Sequence, residues 1–114
     1  MTNRELLEKA AKAAGYIGTV TEYPNGYAEM SLSNYFDPHG SNVWNPLVSD
    51  GQALRLAVKL ELRLATHCNQ EQAYAQSIHH PGVSLEDWNG DPYAATRRAI
   101  VRAAAAIADA GEPQ

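Results

Sequence analysis

The chain has 114 residues, nine basic and thirteen acidic side chains and a formal net charge of -4. That length fits a single domain over residues 1 to 114, able to bury about two-thirds of its unfolded surface without a metal or a disulfide. Cys68 is the sole cysteine, which excludes an intramolecular disulfide and points to a reducing, cytoplasmic setting. No stretch approaches the roughly 18 apolar residues of a membrane span, and residues 1 to 14 lack the apolar centre of an export signal, so neither a membrane nor an exported location is expected.

In chain order, Thr2 with Glu5 forms a capping box, and Leu6, Leu7, Ala10, Ala11 and Ala14 recur at helical spacing until Gly15, which predicts a helix over about residues 3 to 14. Between Ile17 and Leu32, Pro24-Asn25-Gly26 divides two β-prone runs, the pattern of a hairpin. Ser33 to Pro46 is dense in turn formers and reads as a loop, although Tyr35, Phe36 and Trp44 argue against disorder. Ser49 and Gln52 form a second capping box, with Ala53, Leu54, Ala57 and Val58 as the apolar face of a helix reaching about Lys59. Leu60, Leu62 and Leu64 then alternate with Glu61 and Arg63, which favours a strand.

A turn at Cys68 to Gln70 returns Glu71 to Ile78 as the partner strand, with Tyr74, Gln76 and Ile78 on one face and Ala73, Ala75 and Ser77 on the other. His79-His80-Pro81-Gly82 interrupts it and leaves Val83 to Trp88 as a short extended piece. The last helix opens with Asp91 as N-cap and Pro92 at its first position, and ends near Gly111 with Pro113 beyond. Its expected core stripe is Tyr93, Thr96, Ile100, Ala103, Ala104 and Ile107. Arg97 falls at the margin, and Arg98, Arg102 and Asp109 lie opposite. The order α-β-β-α-β-β-α predicts an α+β fold, with three helices packed on a four-stranded, mainly antiparallel sheet of two hairpins.

The segments WNPLVSDGQALRLAVKL and DPYAATRRAIVRAAAAI, together with the opening helix TNRELLEKAAKAAG, resemble the motifs of the phage ABA-sandwich domain, found in small proteins of tailed phages and prophages. The resemblance spans most of the chain and is weakest from Tyr23 to Asn42 and around His79 to Glu86. It implies α/β/α layering and a phage origin. It implies no activity, cofactor or catalytic residue.

Charge is distributed unevenly. From Ala13 to Leu54 the only charged side chains are Glu22, Glu29, Asp37 and Asp50, and from Leu64 to Thr96 they are Glu71, Glu86, Asp87 and Asp91. Such acidic stretches, broken only by short basic stripes, do not supply the continuous cationic footprint that nucleic acid requires. A host or phage protein is favoured as partner over a small molecule.

Four groups of residues carry candidate chemistry. His67-Cys68 and His79-His80 are metal-ligand types, but their spacing fits no zinc pattern, and a turn at Cys68 to Gln70 would hold His67 and His79 roughly 20 Å apart. No metal and no cofactor is expected. Asp50 and Asp91 have sufficient explanations as helix-start residues, so no catalytic pair is assigned. The binding candidates are Tyr35, Phe36, Asp37 and Trp44, as an aromatic and acidic loop, and Arg98 with Arg102, one turn apart and able to grip an anion or a partner's carboxylate. Trp44 and Trp88, each followed by Asn and a nearby Pro, also suit a role as anchors beneath the following helix. Ala95, Ala99, Ala105 and Ala106 suggest a smooth outer face on the last helix and hence a homodimer through it.

The leading expectation is a non-enzymatic phage accessory protein acting as a binding module, in one version an inhibitor of host defence that presents carboxylates where nucleic acid would bind. The alternatives are a small hydrolase using Asp37, His39, His79 or His80, and a structural component of the virion.

Overall fold

The computed structural model describes residues 2–35, 38, 40–67, 70–79 and 83–111, with the backbone alone at residue 67. The elements run α1 (Asn3–Ala14), β1 (Gly18–Glu22), β2 (Ala28–Leu32), β3 (Val43–Trp44), α2 (Asp50–Lys59), β4 (Leu62–His67), β5 (Gln72–Ser77), β6 (Ser84–Asp87) and α3 (Pro92–Gly111). The α+β class and its three helices are as expected. The single four-stranded sheet is not: the strands form two separate three-stranded antiparallel sheets, ordered β1-β2-β3 and β4-β5-β6.

Each hairpin gains a third strand from a segment without a strand-like run of its own. Val43 and Trp44, inside the expected loop, pair with Ser31 and Met30. Ser84 to Asp87, inside the expected extended piece, pair with Ala75 to Gln72. Two to four residues are too few for an alternating pattern to stand out, so such pairing is decided by the neighbouring strand.

Local signals shape the helix ends as the sequence implies. Glu5 N–H donates to Thr2 Oγ1 at 3.1 Å, and Gly15 closes α1 at φ 79°. Gln52 N–H donates to Ser49 Oγ at 3.2 Å. At α3, Asp91 Oδ1 accepts from the amides of Tyr93 and Ala94 at 3.1 and 3.0 Å. Each cap satisfies amides that the first helical turn leaves without partners.

The Trp-Asn-Pro motif before α2 is a structural junction. Asn45 is 5% exposed. Its side-chain amide donates to Ala28 O at 2.7 Å, its Oδ1 accepts from Leu47 N–H, and its own amide donates to Gln52 Oε1 at 2.5 Å. Gln52 in turn donates to Val43 O at 2.9 Å. Asn45 and Gln52 thereby fix β2, β3 and the start of α2 to one another, with Trp44 buried at 1% exposure beside them.

α3 is the central pillar. Its Ala95, Ala99 and Ala103 pack with Ala73 and Ala75 of β5, flanked by Leu62 and Trp88. Its Ile100, Val101, Ala104 and Ala105 join a larger core with Leu6, Leu7 and Ala10 of α1, Met30 and Leu32 of β2, Trp44, and Leu56 of α2. Two expected faces are corrected by this packing. On α3, Ala95, Ala99 and Ala105 are buried, not outward, while Tyr93, placed in the expected core stripe, is 70% exposed. A helix covered on two sides needs small residues on both, so alanine cannot tell inside from outside. The outer alanine face proposed for a homodimer is therefore largely interior, and only Ala106 of that set is exposed. On α2 the buried residues are Ala53, Leu56 and Ala57, whereas Leu54 and Val58 lie in solvent. The apolar residues nearly encircle this helix, and its packing partners choose among them.

The β4–β5 hairpin has the expected faces: Ala73, Ala75 and Ser77 are buried. Its turn residues Cys68 and Asn69 lie outside the described residues.

Candidate binding surface

The β1–β2 hairpin projects an acidic, aromatic tip. Tyr23 N–H donates to Tyr27 O at 2.8 Å, and Gly26 N–H to Tyr23 O at 2.9 Å. The loop is thus the three residues Pro24 to Gly26, with Gly26 at φ 88° supplying the left-handed position. Asn25 does not share that conformation; its Oδ1 accepts from Tyr27 N–H at 3.1 Å.

Strand period then decides which side chains meet. Ala28, Met30 and Leu32 face the core, and the alternate residues Glu29 and Ser31 face outward. Tyr27 and Glu29 lie two apart on the outward face, and Tyr23 opposes Tyr27 across the hairpin. The Tyr23 hydroxyl donates to Glu29 Oε1 at 2.8 Å and the Tyr27 hydroxyl to Glu29 Oε2 at 3.4 Å. The two ring centroids are 5.8 Å apart with planes at 48°. Hydrogen bonding to Glu29, reinforced by its negative charge, holds the Tyr23 phenol above its ordinary pKa. A cavity of about 520 Å³ is lined by Tyr23, Pro24, Asn25, Tyr27 and Glu29. The sequence points to the acidic stretch from Tyr23 to Asn42 as a place for function, but not to these residues within it. The signal that could have found them is the register set by Asn25-Gly26, which brings positions 23 and 27 together.

Of the sequence-derived candidates, Tyr35 and Trp44 fall in one aromatic cluster. Tyr16 lies 5.1 Å from Tyr35 and 5.6 Å from Trp44, centroid to centroid, and Lys59 Nζ sits 5.0 Å above the Tyr16 ring. Burial raises the Tyr16 pKa, Tyr35 adds to the rise, and Arg55 opposes it. Trp44 is interior, where it anchors the start of α2. The Tyr35 hydroxyl is buried without a hydrogen-bond partner among the described residues. Phe36 and Asp37 lie outside the described residues.

Arg98 and Arg102 do grip a carboxylate, but it belongs to this chain. Arg102 Nη1 meets Glu86 Oε1 at 2.7 Å and Arg98 Nε meets the same oxygen at 3.6 Å, with the Glu86 side chain only 17% exposed. Arg98 also donates to Asn3 Oδ1 at 3.3 Å. The pair ties α3 to β6 and α1. Arg97 likewise holds the start of α2, reaching Asp50 Oδ1 at 2.7 Å and Leu47 O at 2.8 Å.

His79 pairs with Glu61 at 2.9 Å, beside the start of β4, whereas His67 is at the other end of that strand, paired in register with Gln72. Among the described residues no group of three His, Cys, Asp or Glu side chains converges on one point. Cys68 and His80, and the Asp37 and His39 of the hydrolase alternative, lie outside the described residues. Among the described residues no helix is long and apolar enough to cross a membrane. An apolar groove of about 380 Å³ runs between α2, β4 and α3, lined by Leu54, Leu64, Tyr93 and Ile100 and edged by the Arg97–Asp50 pair.

The molecule is thus an α+β protein with two small antiparallel sheets about a central helix and an acidic, aromatic hairpin tip. No protein-family model, curated protein or solved structure matches the chain.

Proposed function

We propose that this chain is a non-enzymatic binding module that docks its acidic hairpin arm on a basic protein partner. The observation that carries this reading is the tip itself: two exposed tyrosines oriented by one carboxylate that has no cationic partner among the described residues. Exposed tyrosine offers large, stiff contact area at small entropic cost, and uncompensated carboxylates steer a basic partner toward it.

The finer assignment is a phage or prophage accessory protein of the ABA-sandwich type, acting in the cytoplasm of an infected or lysogenic bacterium as an inhibitor of host defence. Its phage origin rests on the sequence motifs alone. The enclosure of α3 between the second sheet and α1 supports a layered arrangement of that kind.

The test is capture from bacterial lysate on the immobilised chain. A basic, nucleic-acid-handling protein is expected to be retained, and to elute between about 0.1 and 1 M salt, as the Debye length falls from about 10 to 3 Å. Retention that is undiminished at the upper concentration contradicts the reading.

A further inference from the structure

The tip geometry specifies the chemistry of what it holds. Glu29 accepts one phenolic proton on each oxygen, and a carboxylate has about four acceptor sites, so roughly two stay open. Donation to a carboxylate places more electron density on each phenol ring, which strengthens the attraction of its face for a cation. A tyrosine phenol, with an ordinary pKa near 10, is a neutral donor at physiological pH. The rings, tilted at 48°, and Glu29 wall one cavity of about 520 Å³, with Pro24 supplying an apolar surface for an alkyl stem. No Lys or Arg occurs between Ala13 and Leu54.

We propose that Tyr23, Tyr27 and Glu29 form an aromatic clamp for a single arginine side chain of the protein partner. This rests on the binding-module reading above and names what that surface grips. A guanidinium is planar, weakly hydrated and able to stack on an aromatic face while its in-plane N–H groups donate to the open sites of Glu29. An ammonium is more strongly hydrated and lacks the flat face for stacking.

The experiment is an NMR titration of the full chain with three capped tripeptides, Gly-Arg-Gly, Gly-Lys-Gly and Gly-citrulline-Gly. The arginine peptide is expected to shift the ring resonances of Tyr23 and Tyr27, the lysine peptide to bind more weakly, and the neutral citrulline peptide to leave the rings unmoved. Glu29→Gln, at a half-buried outward position, and Tyr27→Leu, at an exposed one, are each expected to weaken arginine binding about tenfold, the first by the loss of a charge-assisted bond and the second by the loss of a stacking face. The clamp is overturned if citrulline or lysine matches arginine, or if Glu29→Gln binds the arginine peptide as wild type does. Salt-labile capture of a basic protein without any arginine response sinks the clamp and leaves the binding module standing. An arginine response without such capture does the reverse.

Discussion

Arg98 and Arg102 on α3, and Glu29 on the β1–β2 hairpin, are all charges on outward-facing positions of regular elements. In the folded chain they differ in one respect. The arginines close on Glu86, half-exposed cations on a mostly buried carboxylate, and their charge is spent on holding α3 to β6. Among the described residues Glu29 meets two neutral phenols and no cation, so there its charge is oriented but not cancelled. Whether a charge is compensated within the chain separates scaffold from docking surface better than whether it is exposed.

The aromatic residues offer the sharpest way to break that division, because Trp44 belongs to the scaffold side only if its ring holds the core. Trp44→Ala is expected to cost about 3–5 kcal/mol of stability in a denaturant titration. Stability kept within experimental error would move the Tyr16–Tyr35–Trp44 cluster to the binding side. Next in size is Glu86→Ala, which leaves Arg98 and Arg102 side by side without their carboxylate. A loss of about 1–2 kcal/mol is expected by the same measurement, and no loss would return the arginines to the list of free surface cations.

The smallest effect falls on the tip. Glu29→Gln is expected to change stability by less than about 0.5 kcal/mol, yet to move the ionisation of Tyr23, read by ultraviolet difference spectra, down toward the ordinary value. The sign follows from the raised pKa of Tyr23 in the folded chain. A group with a raised folded pKa contributes stability that is complete below its unfolded value, near 10 for tyrosine, and is lost as pH rises through the folded value. The hairpin contact is therefore intact at neutral pH and weakens in alkali. A Tyr23 titration that ignores the Glu29 substitution would detach the phenol from the carboxylate.

Much of the scaffold was legible. Thr2, Ser49 and Asp91 cap the helices they were expected to cap, and Asn25-Gly26 turns the chain where it should. Buried faces were harder to read. Leu54, Leu56 and Val58 are all apolar, and only Leu56 is covered, because α2 turns that side toward the core it shares with α1 and α3. Ala95, Ala99 and Ala105 of α3 read as outward because they flank Arg98 and Arg102, yet they are buried, since alanine is small enough to pack on either side of the helix. Arg98 and Arg102 stand out in the sequence as able to grip an anion, but the carboxylate they hold is this chain's own Glu86, which gives no sign in the sequence of being nearby.

The sequence by itself determined the helix starts, the turns and the acidic character of the hairpin arm, because caps, left-handed glycines and runs of like charge act over a few neighbouring residues. Tertiary structure alone decided that Val43–Trp44 and Ser84–Asp87 complete two sheets, that α3 is covered on two sides, and that Glu86 is neutralised while Glu29 is left open. Each of those outcomes depends on which distant segment supplies the missing hydrogen bond, apolar surface or counter-charge.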